Sequence, residues 1–488
     1  MLILPILIPI IFGSGIALLK TDDKQTLNLY VFGTVTITTV FVFIVNFWGP
    51  SELLDFGGFG SKMTIAFKVD GLSRLFSTIA AILWPLASLY AFEYMENEKN
   101  QRRFFSFYTI TYGVTLAIAY SANFLTIYLF YELLTLATLP LVIHGMNQES
   151  FAAGRKYIYY SISGATLIFI CLVFIVSYGD TMSFRLGGVF SGSIIAEYHN
   201  QVLQAFFVAF FGIGVKAALF PLHAWLISAA VAPTTVTALL HAVAVVKAGV
   251  FFAMRLTYYV FDASSLQETW VQYTIMALAL ITILYGSARA WYTSHFKRRL
   301  AYSTVSQLSY ILFGVALMSP KGLAAAMIYM LAHSFIKITL FYCCGAAKVM
   351  THRYDLKEME GLGRYMPVTF TAFTVMALAL IGLPPAAGFV AKLQLLTAIT
   401  QGGNLMALGG ITVFFVSMML TAAYMFSVVR TAYFPKPGSI ISDTDLVPKD
   451  PSWRMTVTIW ILVFMVMIIG IAGRPLLRWL TMVSLGLA

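Results

Sequence analysis

The sequence predicts an all-α polytopic membrane protein of about fourteen transmembrane helices, with two inverted five-helix repeats (helices 4–8 and 9–13), each containing one broken helix. Three observations carry this expectation. The 488 residues are 60% hydrophobic and only 10% charged, whereas a soluble domain carries about 25% charge. Apolar runs recur along the whole chain, each roughly 18–25 residues, the length that crosses about 30 Å of hydrocarbon as helix. The cations also alternate. Loops after odd-numbered spans hold 19 Lys and Arg, loops after even-numbered spans together with the tail hold 7, and the remaining five of the 31 lie within spans.

The spans are expected at 2–19, 28–48, 71–92, 104–121, 123–144, 157–179, 202–226, 232–254, 270–288, 300–319, 323–345, 367–399, 406–429 and 455–473. The first run lacks a basic flank and a small-residue cleavage site, so it reads as a span and not a leader. The cation bias puts odd-numbered loops in the cytoplasm and both termini on the outer side of a cell inner (plasma) membrane. The chain divides into a three-helix segment (1–103), two repeats (104–260 and 270–434), and a remainder (435–488) of cytoplasmic loop, last helix and short tail. The polar insert within 430–454, "YFPKPGSIISDTDLVPKD", reads as an ordinary loop. In the tail, Arg478 and Trp479 suit the membrane interface. Five spans per block is an odd number, so the second block must be upside down relative to the first. Inverted repeats with one broken, charged helix each mark a translocation path.

The net charge of +11 is that of loop cations, and it implies a bilayer and no nucleic acid. No Walker loop, glycine-rich dinucleotide fingerprint or Cys/His ligand spacing occurs, so neither a cofactor nor a metal is expected. Cys171, Cys343 and Cys344 fall in apolar runs as small core residues.

An ionisable group at bilayer depth costs at least about 2.5–3.5 kcal/mol, so each needs a reason. Of the twenty acidic residues, only Glu132 lies deep in a span. Lys216, Lys247, Lys337 and Lys392 join it, with His223, His241 and His333, and His144 near a helix end. Snorkelling accommodates a lysine near a helix end, and a static ion pair accommodates one more. A single carboxylate cannot neutralise four amines. Low dielectric disfavours the charged form of an amine, so such lysines are suited to passing protons. His333 and Lys337 are i and i+4, on one helix face. Lys216 and His223 are seven apart, two turns along one face, with Pro221 breaking the backbone between them. His241 and Lys247 are six apart and would meet only through water or other helices. A second disrupted stretch, "ALALIGLPPAAGFVAKLQLL", carries Pro384, Pro385 and Gly388 ahead of Lys392.

These residues, with "FLTIYLFYELLTLATLPL", "VKAALFPLHAWL", "RRLAYSTVSQLSYI" and "LAHSFIKITLFYCCGAAK", resemble the antiporter-like subunit family. That family is shared by respiratory complex I, Mrp-type sodium/proton antiporters and membrane-bound hydrogenases. The resemblance runs from about Val69 to Phe434. It implies fourteen helices and a hydrated axis at mid-membrane. Glu132 would be the regulating glutamate, Lys216 the central lysine and Lys247 the connecting lysine. His333 with Lys337 would form the eleventh-helix relay, and Lys392 the terminal group. Lys392 stands where the M-type subunit of complex I has glutamate, and the sequence ends at Ala488 without the long extension of L-type and Mrp A subunits. The D subunit of Mrp antiporters and the hydrogenase-type subunits are the nearest patterns, ahead of an N-type subunit of complex I. The expected partners are other membrane subunits of one complex, with protons as cargo and sodium as a second candidate. No redox site belongs to this chain. Two other readings stand beside this one. A stand-alone carrier of a small solute would use Thr234, Thr235 and Thr237 near a break. A non-conducting scaffold would use the ion pairs only to fix helix register.

Overall fold

The computed structural model describes residues 1–19, 23–49, 52–59, 62–402, 405–435 and 449–487. Helices α1 (Leu4–Leu18) and α2 (Lys24–Trp48) precede a β-hairpin of β1 (Leu54–Phe59) and antiparallel β2 (Met63–Phe67). Then come α3 (Gly71–Tyr94), α4 (Gln101–Tyr120), α5 (Phe124–Val142), α6 (Gln148–Tyr178) and the short α7 (Gly192–Glu197). Next are α8 (His199–Lys216), α9 (Ala224–Ser228), α10 (Thr234–Ala242), α11 (Val245–Arg255), a π-helical Leu256–Val260 and α12 (Ala263–Leu266). The second half holds α13 (Trp270–Tyr292), α14 (Phe296–Ala316), α15 (Pro320–Thr351), α16 (Leu362–Tyr365), α17 (Pro367–Ile381), α18 (Ala387–Gly402) and α19 (Leu405–Tyr433). The chain closes with α20 (Trp453–Ala472) and α21 (Arg474–Ser484). The expected loop at 430–454 lies largely outside the described residues.

Local chemistry sets the helix starts. Asp70 with Ser73, and Asn147 with Ser150, form reciprocal capping boxes. Asn123 caps α5 through the Thr126 amide, and Pro320 occupies the first turn of α15, where its missing N–H costs nothing. The mature bundle buries α10, α11 and the π-turn completely, from Thr234 to Val260. Helices α2, α19 and α20 instead present large apolar side chains outward, among them Ile37, Met419 and Phe464. In water this would be an interaction surface, and in lipid it is the solvent-facing side.

Among the described residues, nine helices are long and apolar enough to span a bilayer. The chain is a mostly helical polytopic membrane protein. The other expected spans fall short for physical reasons. Helix α1 has only 15 residues. Helices α4 and α14 bury hydroxyls and an amide in the bundle (Thr109, Thr111, Ser303, Gln307), which lowers their hydropathy without exposing them to lipid. The spans expected at 202–226 and 367–399 are each split into two pieces.

One backbone device occurs twice. The residue before α5 bridges the segment after α6: Phe124 N–H donates to the Met182 carbonyl at 3.1 Å and Phe184 N–H to Ala122 at 2.9 Å. The residue before α14 bridges the segment after α15 in the same pattern: Phe296 N–H donates to Tyr354 at 2.9 Å and Leu356 N–H to Ser294 at 3.2 Å. The paired positions, 123 with 183 and 295 with 355, are equally spaced.

Candidate functional site

Helix α8 stops at Lys216 and the chain resumes helix only at Ala224. Pro221 lacks an amide hydrogen, and Ala218 adopts φ 57°, so the ladder cannot continue. The Trp225 indole donates to the Val215 carbonyl at 2.7 Å, which also accepts from the Ala218 amide at 3.1 Å, and the Phe220 amide donates to Thr282 Oγ1 at 3.0 Å. Gly249 of α11 packs so close that a β-carbon there would lie 2.7 Å from the Ala217 nitrogen. The Lys216 amine sits 3.5 Å from the Tyr131 ring centre, donates to the Tyr131 carbonyl, and lies 3.3 Å from Glu132 Oε1. The expected Glu132–Lys216 pair is therefore present, with Lys216 buried and Glu132 retaining 26% exposure.

The second expected juxtaposition changes. His223 does not continue the Lys216 face, because the break separates them. Its ring packs against Phe220 and Tyr285, and Nδ1 has no partner among the described residues. Its charged neighbours are Lys156 and Arg289.

At the centre, Lys247 Nζ contacts His333 Nδ1 at 2.5 Å, joining α11 to α15. His333 and Lys337 share a helix face as expected, but Lys337 donates to the Leu300 carbonyl at 3.0 Å and to the Ser303 hydroxyl on α14. The span expected at 232–254 is interrupted at Val243 and Ala244, between His241 and Lys247. Among the described residues neither ring nitrogen of the fully buried His241 has a partner, and Lys247, Lys297 and Lys337 surround it electrostatically.

Helix α17 ends at Gly382 in the left-handed conformation (φ +98°), and α18 starts at Ala387, after Pro384 and Pro385. The carbonyls of Leu380 and Ile381 lose their helical donors there. The Lys392 amine supplies replacements, at 2.9 and 2.8 Å. Lys392 also lies 5.7 Å from the Tyr310 ring centre. Ser303, Gln307 and Tyr310 follow one another along a face of α14, and Gln307 accepts from Tyr329 at 2.7 Å. That face leads from Lys337 toward Lys392.

Further ionisable residues enter the bundle beyond those that stand out in the sequence. Asp70 and Arg255 form a bidentate pair at 2.6 and 2.7 Å, with Arg255 1% exposed among the rings of Phe184, Phe251 and Tyr259. The expected spans at 71–92 and 232–254 leave both just outside: Asp70 caps α3, and the helix through Arg255 continues into a π-turn beyond the apolar run. Lys297 and Arg299 likewise fall just ahead of the expected span at 300–319, among the loop cations. Helix α14 begins earlier than expected, so both are buried, Lys297 donating to the Ala232 carbonyl and Arg299 to the Tyr424 carbonyl at 2.9 Å. Among the expected solute-site threonines, Thr234 is engaged by Tyr94 at 3.1 Å and Thr237 by backbone carbonyls.

Residues 121–421 match the family model "NADH:quinone oxidoreductase/Mrp antiporter, TM", and residues 56–105 match the N-terminus of chain 5 of complex I. The chain is 28% identical to NAD(P)H-quinone oxidoreductase chain 4-1 of Synechocystis sp., over 91% of this chain and 86% of that protein. It is 26% identical to a putative antiporter subunit of Staphylococcus saprophyticus, over 98% and 93% of the two chains. Its fold matches a chain of the Mrp complex from Dietzia sp. with TM-score 0.84, 23% identity and coverage of 100% and 97%. A chain of the membrane-bound sulfane sulfur reductase, an archaeal respiratory membrane complex, gives 0.85 at 21% identity, with coverage of 99% and 97%.

Proposed function

The chain belongs to the NADH:quinone oxidoreductase/Mrp antiporter family of membrane proteins, and on that premise we propose that it translocates protons as one subunit of a multi-subunit ion-pumping complex in the plasma membrane. The observation that carries this reading is the row of buried bases linking two helix breaks. Lys216 with Glu132 lies at one break, Lys247 with His333 and then Lys337 with Ser303 at the centre, and Lys392 at the other break. An amine in low dielectric is readily deprotonated, and an adjacent carboxylate tips that balance through the Coulomb interaction. A proton arriving from the cytoplasm is held on Lys216 while Glu132 faces it. When Glu132 turns away, the proton passes to Lys247 and His333, on to Lys337, and then through water along the polar face of Ser303, Gln307 and Tyr310 to Lys392. His241 and Lys297 join as a side branch. His223 acts at the first break without direct contact with Lys216.

Fourteen spans in two inverted repeats complete the reading. The nine long apolar helices, together with α1, α4, α14 and the two broken helices, supply that number. The twin backbone bridges support an inverted relation. Each ties the loop before its unit's second helix to the segment after its third, and that third helix is the long one in both units, 31 and 32 residues. With five spans per unit, the two bridges fall on opposite faces of the membrane. Odd-numbered loops then face the cytoplasm and both termini the outside.

The test is proton movement in inverted vesicles carrying the assembled complex with Lys216→Ala or Glu132→Ala. The expected result is loss of transport with assembly retained. Wild-type transport by either assembled variant would remove the relay. Saturable uptake of a small solute by the chain alone would instead favour a carrier.

A further inference from the structure

Away from the row of bases, α2, α3, α15, α20 and α21 enclose a cavity of about 550 Å³ with almost wholly apolar walls, including Leu331, Phe335, Met465 and Ile468. A single cation, Arg74, reaches into it from the first turn of α3. Among the described residues the Arg74 guanidinium meets no acceptor and no carboxylate, and its Nε is buried without a partner. Neighbouring Asn46 is fully engaged with Ser77, Thr78 and Tyr120 and offers nothing to it. Trp479 of the amphipathic α21 forms part of the wall, and exposed Arg478 stands next to it in sequence. An indole and basic side chains together are the signature of headgroup depth.

We propose that this cavity holds one phospholipid, its phosphate on Arg74 and an acyl chain along the wall of α15 and α20. Charge complementarity selects the headgroup: a guanidinium at membrane depth without a counter-anion is costly, and its planar donors match phosphate. The apolar walls require a hydrocarbon occupant, which excludes inorganic phosphate alone. A neutral isoprenoid or detergent would leave the guanidinium unpaired. Size excludes a partner helix. A helix of about 10 Å diameter would fill this volume in roughly one turn, whereas an extended hydrocarbon chain fits it lengthwise. The tail lies against Leu331 and Phe335, which flank His333, so the lipid bears on the helix that carries the central imidazole.

The full chain is extracted in mild detergent with the subunits that accompany it, washed extensively, and its retained phospholipid is measured by phosphorus content and by mass spectrometry of the intact assembly. Wild type and Arg74→Lys are expected to retain one phospholipid per chain more than Arg74→Gln. Ile468→Trp, which fills the cavity without touching the charge, is expected to lose the same lipid. Equal phospholipid content in all four would overturn the proposal. So would a retained fatty acid in place of phospholipid, displacement by inorganic phosphate alone, or loss of a protein subunit in Arg74→Gln with lipid unchanged. If Arg74→Gln fails to assemble, Ile468→Trp and the Arg74→Lys control decide the matter.

Discussion

Replacing Glu132 with glutamine keeps the shape of the first break and removes one charge. The carboxylate lies 3.3 Å from the Lys216 amine. At an effective dielectric of about 20, Coulomb's law gives about 5 kcal/mol over that distance. Glu132 keeps 26% exposure, so water screens part of this, and about 3 kcal/mol, the lower end for breaking a buried pair, is the working figure. That is about two powers of ten in the population of the ammonium form. If proton occupancy of Lys216 limits the cycle, the rate falls by about tenfold to a hundredfold. The assay is quenching of a pH-sensitive dye in inverted vesicles, normalised to assembled complex. The deficit should narrow as pH falls, because mass action refills the amine. Glu132→Asp, which shortens the reach, should fall between the two. An assembled Glu132→Gln variant pumping at the wild-type rate across the pH range would refute the electrostatic account of Lys216.

Ser303→Ala removes the hydroxyl that receives Lys337; a hydrogen bond to a charged group contributes about 1.5–3 kcal/mol, so transport should drop by about tenfold or more, and Lys337→Ala should abolish it. Gly382→Ala is expected to lower both thermal stability in detergent and transport: its φ of +98° strains a side chain by about 1–2 kcal/mol, and the new β-carbon would sit 2.8 Å from Lys392 Cδ. Arg255→Leu leaves the Asp70 carboxylate without its partner and should cost about 3 kcal/mol, the lower end for a broken buried pair because Asp70 keeps 29% exposure, read as a lower melting temperature and less assembled protein, with transport per assembled chain unchanged.

The class of fold and most of the candidate site were legible because burial of charge in a greasy chain is conspicuous by itself. Glu132, Lys216, Lys247, His333, Lys337 and Lys392 all announce themselves as polar residues inside apolar runs. The two breaks were legible because Pro221 and the Pro384–Pro385 pair remove backbone donors. What the sequence concealed has two causes. The interruption at Val243 and Ala244 contains neither proline nor glycine, and is imposed by packing in a fully buried segment. Lys297, Arg299 and Arg255 lie at the ends of apolar runs, where hydropathy cannot tell a cytoplasmic flank from a helix that continues into the bundle. The partners of a buried amine were also beyond reach. Spacing joined Lys337 to His333, whereas the folded chain gives His333 to Lys247, a residue 86 positions earlier.

That contact divides one junction between two parts of the polypeptide. The amine comes from α11 and the imidazole from α15. On the proposed relay, a first portion inserted ahead of α15 would lack that imidazole and so would offer no continuous proton path to the membrane voltage. The path would close only once α15 packs beside α11.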